Sequence, residues 1–147
     1  MILPDEGCVV DASVALYVAL AEGDGADSAH ARALLFEARS RRVATTHFDL
    51  ECANGLVQAF RRGRVGLDDA FEILLLLLDL PFERLQPAAV EIDAFRLAYQ
   101  RGISVYDAGY VALSDELGLP LVTADARLVR ALAGTEHDVR LLDDVEL

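Results

Sequence analysis

The chain has 147 residues, 54% of them apolar and 7% aromatic, with 25 acidic side chains against 13 basic ones and a formal net charge of -12. A chain of that length buries roughly 68 to 70% of its unfolded surface, so one compact domain over residues 1–147 is expected and a disordered chain is excluded. The acidic balance excludes a uniformly basic nucleic-acid coat, and since every basic residue besides histidine is an arginine, lysine-dependent Schiff-base and Walker-type chemistries are excluded too.

In chain order, Met1 to Glu6 lacks the basic and apolar regions of a signal peptide, and the leucine run from Leu74 to Leu78 is closed by Asp79. No membrane segment is therefore expected, and a cytoplasmic location is. Cys8-Val9-Val10 is a short apolar run ending at Asp11, and Leu119 to Thr123 is another ending before Asp125; both read as buried strands. Arg42 to Thr45, Phe82 to Leu85 and Val139 to Leu142 are weaker strand candidates. Helical spacing covers Val14 to Ala21, Asp27 to Arg39, His47 to Arg62, Leu67 to Leu80, Ala88 to Arg101, Ser104 to Leu117 and Ala126 to Ala131, with a turn at Glu22 to Gly25. Strands alternating with helices imply an α/β fold with a mainly parallel sheet covered on both faces, which binds ligands beyond the carboxyl ends of its strands. Cys8 and Cys52 form neither a C-x-x-C pair nor a zinc site and read as reduced thiols.

Four acids are candidates for chemistry. Asp11 and Asp125 each follow a buried strand; if those strands are neighbours about 4.8 Å apart, both carboxylates face one crevice. Each could equally cap the helix that follows it. Asp107 opens an otherwise apolar helix, with Ser104-x-x-Asp107 as a capping box for its structural alternative. Glu51 falls at the margin of the apolar face formed by Phe48, Cys52, Leu56 and Ala59, and Gly55 one turn below leaves it room to reach a ligand; a solvated rim position is the alternative. Thr46-x-x-Asp49 reads as a helix cap, which leaves Glu51 as the candidate. Converging carboxylates repel one another and raise their pKa values unless a cation is present. Mg²⁺ or Mn²⁺ suits such oxygen ligands and activates water for attack on a phosphodiester.

Competing constellations are poor. His30, His47 and His137 form no metal-binding pair, Gly23-x-Gly25 follows a helix rather than a strand, and no G-x-S-x-G elbow is present. Arginines cluster at Arg39, Arg41 and Arg42 and at Arg61, Arg62 and Arg64. Their structural reading is helix C-termini, and their functional one is contact with nucleic-acid phosphates.

Val9-Val10-Asp11-Ala12-Ser13, then Glu51, then Tyr106-Asp107-Ala108-Gly109-Tyr110-Val111-Ala112-Leu113, then Leu121-Val122-Thr123-Ala124-Asp125 together resemble the PIN domain, specifically the VapC-type toxins of toxin-antitoxin modules. The resemblance runs from Val9 to about Leu142. It implies a three-layer α/β/α fold and a Mg²⁺- or Mn²⁺-dependent endoribonuclease whose acids are Asp11, Glu51, Asp107 and Asp125. Ser13 and Thr123 match the family's polar positions, where they would support ligands or water. It also implies a homodimer and inhibition by a small antitoxin that covers the acidic groove. Two other readings are a phosphohydrolase and a non-catalytic PIN-like binding module. A dehalogenase-type phosphatase needs a second aspartate where Ser13 stands, and a degenerate module would be expected to lose some of the four acids.

Overall fold

Every residue of Cys8–Val10 (β1) and of Leu121–Thr123 (β4) is buried, the pattern of strands covered on both faces. The computed structural model describes residues 2–20, 32–36 and 40–146. With Arg42–Thr45 (β2), Glu83–Leu85 (β3) and Val139–Leu141 (β5), these strands make one sheet in the order β3-β2-β1-β4-β5. All four pairings are parallel, with Val9 opposite Val43 on one side and Leu121 on the other.

The helices are α1 (Ala12–Leu20), α2 (described over 32–36), α3 (Phe48–Arg61), α4 (Leu67–Leu78), α5 (Val90–Arg101), α6 (Val105–Leu117) and α7 (Ala126–Leu132). Much of the helix expected over Asp27 to Arg39, with His30 and Arg39, lies outside the described residues, as does the expected turn at Glu22 to Gly25. Elsewhere the bounds shift by a residue or two: α1 begins at Ala12 and α7 runs on to Leu132, while several other elements are shorter than expected. Leu119 and Pro120 precede β4, where the Pro120 carbonyl accepts from the Val9 amide at 2.9 Å. Leu142 leaves β5 to begin a 3-10 turn, and α5 starts at Val90 because Ala89 takes a left-handed conformation at φ 51°.

Chain order dictates the layering. From β1 the chain steps outward to β2 and β3, then returns across the sheet to β4 and on to β5. Right-handed crossovers therefore put the helices that follow β1 and β2 on one face and those that follow β3 and β4 on the other, giving three layers. The reversal falls between β1 and β4, the topological switch point at which α/β sheets open a crevice. The apolar face of α6, including Ala108, Tyr110, Val111 and Leu113, is buried, while α3 packs between α1 and α4.

Gly7 sets the entry to β1. Its φ is +121°, and a Cβ there would stand 2.1 Å from the Arg41 carbonyl oxygen, which is backbone and cannot swing away. Gly7→Ala is expected to cost more than about 2 kcal/mol, from backbone strain together with displacement of the β1–β2 edge. Thermal unfolding reads this as a midpoint lower by roughly 4–8 °C. A midpoint within a degree of the wild type would show that the edge relaxes freely.

Candidate active site

Asp11 and Asp125 sit just beyond the carboxyl ends of adjacent strands, on either side of the switch point. Asp11 is 3% exposed, and its backbone amide donates to the Val122 carbonyl across the crevice at 3.3 Å. Its Oδ1 accepts from the Ser13 amide at 3.0 Å and from the Ser13 hydroxyl. The Ser13 hydroxyl oxygen in turn lies 3.2 Å from Thr123 Oγ1 and accepts from the Ala124 amide at 2.9 Å, while Thr123 Oγ1 accepts from the Asp125 amide at 3.0 Å. Ser13 and Thr123 thus tie the end of β1 to the end of β4 and aim hydroxyl dipoles at Asp11. Burial nevertheless outweighs those hydrogen bonds, and with the Asp107 charge adding to it the Asp11 carboxyl is pushed up to about 6.

Glu51 comes from the first turn of α3, its side chain 28% exposed. Burial, assisted by the charges of Asp11 and Asp107, pushes it up to about 7. Its Oε1 is buried without a hydrogen-bond partner; His47 Nε2, one turn earlier, lies 3.3 Å away. The His47 ring is half-buried against Tyr106 and Tyr110, with ring centroids 5.4 and 5.0 Å apart, and burial holds its pKa below the ordinary value.

Of the two acids with a capping alternative, Asp125 takes both roles and Asp107 only that in the cleft. The Asp107 amide donates to Ser104 Oγ at 3.0 Å, so Ser104 caps α6. No hydrogen bond from the Ser104 amide to the Asp107 carboxylate is formed, so only half of the capping box exists and the carboxylate lines the cleft instead. Asp125 caps α7, with Oδ1 accepting from the Arg127 amide at 2.8 Å. Its carboxylate also receives the Arg127 guanidinium, Nε to Oδ1 at 3.1 Å and Nη2 to Oδ2 at 3.0 Å. Those hydrogen bonds hold the Asp125 pKa below the usual carboxylate range. Mutual repulsion was expected to raise every acid of the cluster; at Asp125 an arginine two residues on reverses the sign.

The four acids, with Ser13, Asn54 and Gly55, line one cleft of about 250 Å³. Among the described residues no three histidine, cysteine or acidic side chains close around a common point. The cleft still fits a hard divalent cation. Its donors are carboxylate and hydroxyl oxygens, and it keeps at Glu51 a buried carboxylate oxygen with no hydrogen-bond partner, 3.3 Å from His47 Nε2, beside a second buried carboxylate at Asp11.

Several sequence readings need correction. Gly55 lines the cleft with Glu51 but also serves the close packing of α1 on α3, since a Cβ there would lie 2.3 Å from Leu16 Cδ1. Thr46 does not cap α3 through Asp49; its hydroxyl donates to Gln86 at 2.7 Å, and the Asp49 carboxylate takes Arg84 at 3.0 Å. Asp49 is thereby occupied while Glu51 faces the cleft. Arg41 is engaged with Glu83 through two hydrogen bonds at 2.6 and 2.8 Å, and Arg42 is buried, donating to the Leu34 carbonyl at 3.1 Å, so neither reaches for phosphate. His137 pairs with Asp115 at 2.8 Å. Sequence reading missed Asn54, which its i+3 spacing from Glu51 places on the same helical face, and Arg127, for which the only signal was its closeness to a capping acid.

A sequence profile of the PIN domain matches residues 8–133. Ribonuclease VapC3 of Pyrobaculum aerophilum is 38% identical over 125 residues, covering 82% of this chain and 90% of that protein. The crystal structure of PAE2754 from the same organism has a TM-score of 0.69 at 26% identity, covering 97% of this chain and 93% of the other. A toxin-antitoxin complex from Klebsiella pneumoniae shares the fold, with a TM-score of 0.59 at 14% identity over 92% of this chain and 98% of its own.

Proposed function

The chain belongs to the PIN domain family, and on that premise we propose that it is the toxin of a toxin-antitoxin pair. In this reading it is an endoribonuclease that hydrolyses RNA phosphodiester bonds at the cleft of Asp11, Glu51, Asp107 and Asp125, with Mg²⁺ or Mn²⁺ bound there. The observation that carries this is the meeting of four acids from β1, α3, α6 and the end of β4 in one cleft at the switch point of the sheet.

A divalent ion in that cleft supplies Lewis acidity toward a phosphodiester and an activated water. Asp11, Glu51, Asp107 and Asp125 would hold that ion, Asp11 and Glu51 being the more desolvated of the four. Ser13 and Thr123 hold Asp11 in place through their hydroxyls, and Arg127 neutralises Asp125. In this reading water is the nucleophile, and the Ser13 hydroxyl, which donates to Asp11 and accepts from the Ala124 amide, positions that carboxylate.

The whole chain acts as one domain, in the cytoplasm, as a homodimer. In support of the dimer, α5 exposes Ile92, Phe95 and Tyr99, and the start of α6 exposes Val105 and Tyr106. Apolar exposure on that scale calls for cover by a second surface. No described helix is long and apolar enough to cross a membrane. The net charge of -12 favours a small antitoxin that brings a basic side chain to the acidic cleft.

Purified protein is expected to cut single-stranded RNA with Mg²⁺ or Mn²⁺ and to stop in EDTA. Mn²⁺ at about a hundred times Kd should add about 2.7 kcal/mol of stability, visible in thermal melts. Cleavage that persists at full rate in EDTA, with no Mn²⁺ stabilisation, overturns the metal reading.

A further inference from the structure

Beside the acidic cleft, and sharing Ser13, Gly55 and Asp125 with it, runs a larger open groove of about 870 Å³. Its charge is opposite to that of the cleft and of the chain as a whole. Arg62, Arg64 and Arg127 line it, and the one carboxylate there among the described residues, Asp125, is already paired with Arg127. Neither Arg62 nor Arg64 forms an ion pair among the described residues. In a protein with 25 acids and 13 arginines, three guanidinium groups gathered along one groove with a single neutralised acid depart from the average composition.

The backbone brings Arg62 and Arg64 to one end of the groove. α3 ends at Arg61, and Gly63 turns the chain at φ +70°, its amide donating to the Phe60 carbonyl, so that Arg62 and Arg64 flank the turn. The helix dipole explains Arg61, which sits in the last turn and does not line the groove. It reaches Arg62, the C-cap residue, as well, but not Arg64, which lies beyond the cap. Arg127 engages Asp125 through Nε and Nη2 only, leaving its Nη1 donors for another acceptor. The opposite wall carries Tyr17, 39% exposed, and Gln58 lies on the α3 side.

We propose that this groove carries the RNA strand on one side of the bond that is cut, its phosphates on Arg62, Arg64 and Arg127 and a base stacked on Tyr17. The inference rests on the ribonuclease reading above. An extended anion with unpaired bases is the occupant whose chemistry matches three guanidinium groups and an exposed aromatic ring. A basic antitoxin segment would be repelled here, although the acidic cleft alongside would attract it. The substrate is accordingly single-stranded RNA longer than the scissile dinucleotide.

The test is the anisotropy of a short fluorescein-labelled single-stranded RNA of mixed sequence, titrated with the full-length protein in EDTA, so that binding is read without cleavage. Replacing Arg62 and Arg64 together with Ala should remove two phosphate contacts. That flattens the slope of log Kd against log salt by about 1.4 and weakens binding about tenfold near physiological salt. Under turnover conditions KM rises while kcat changes little, and the thermal shift given by Mn²⁺ is unchanged. Lys at both positions should restore most of the salt slope, and Arg101→Ala, on α5 away from the groove, should alter neither quantity. A double Ala variant with wild-type affinity and salt slope overturns the proposal. So does one that binds RNA normally but no longer retains its co-expressed antitoxin, because the groove would then be the antitoxin's seat. A wild type that binds RNA through these arginines yet cuts none would instead fail the ribonuclease reading and leave the groove standing.

Discussion

Asp11→Asn is expected to lower RNA cleavage roughly a thousandfold and, in the same protein, to raise the thermal midpoint of the metal-free form at neutral pH. The two effects have one cause. Asp11 is 3% exposed, and its carboxyl is pushed up to about 6 by burial, with the Asp107 charge adding to it. At neutral pH the folded protein therefore carries a buried negative charge that the unfolded chain would hold in water. At about 1.4 kcal/mol per pKa unit, relief of that charge is of the order of 1–3 kcal/mol. Asparagine keeps an Oδ1 that can still accept from the Ser13 amide and hydroxyl, so the packing at the end of β1 survives the change. With a change of roughly 2–4 °C per kcal/mol at this chain length, the gain is measurable. The variant should also lose most of the Mn²⁺ stabilisation of the wild type. If Asp11→Asn melts lower in EDTA and keeps the full Mn²⁺ shift, Asp11 is a structural acceptor for Ser13 and not a cation ligand.

This division between strain and support was only partly legible in the sequence. The buried strands were, because Cys8-Val9-Val10 and Leu121-Val122-Thr123 have no polar face to present to water, and their parallel adjacency puts the acids that follow them on one crevice. β3 was weaker as a signal, since Glu83–Leu85 lies at the sheet edge with one residue exposed and two half-buried. At Asp107 and Asp125 the sequence offered cap or cleft as alternatives, yet Asp125, at a helix N-terminus beyond a strand's carboxyl end, satisfies both, while at Asp107 Ser104 makes the cap and leaves the carboxylate to the cleft. What composition and spacing could not supply was the direction of side chains across elements. Leu16 filling the space at Gly55, Arg84 taking Asp49, and His47 packing beneath Tyr106 and Tyr110 all join segments distant in sequence or set by rotamer. The same limit hid Arg127, whose pairing depresses the Asp125 pKa.

The unequal treatment of the acids gives a pH dependence that runs against ordinary acid denaturation. In the metal-free protein Asp11 is held near 6 against an ordinary 3.8, and Glu51 near 7 against 4.5, burial being the leading cause at both. Between about pH 4.5 and 6 the folded state binds protons at these two carboxyls that the unfolded chain has already released. Stability then falls as pH rises, by up to about 1.4 kcal/mol per pH unit for each carboxyl, and the loss is complete above the folded values. His47 works in the opposite sense: burial lowers its pKa, so the unfolded chain binds the extra proton, and stability rises with pH toward the ordinary value of 6.5. Two raised acids against one lowered base leave a net decline from pH 5 to 7, and replacing His47 with Gln should steepen it. The double variant Asp11→Asn, Glu51→Gln should flatten the profile across the same window, and in the wild type Mn²⁺ should add more stability at pH 7.5 than at pH 5.5, since a cation binds the carboxylates only as they lose their protons. Urea denaturation in EDTA at half-unit pH steps measures the slope directly. A wild-type profile that climbs from pH 5 to 7 and is unchanged in the double variant would mean that Asp11 and Glu51 are solvated and ionised in the folded protein, and the desolvated pair that this site requires would not exist.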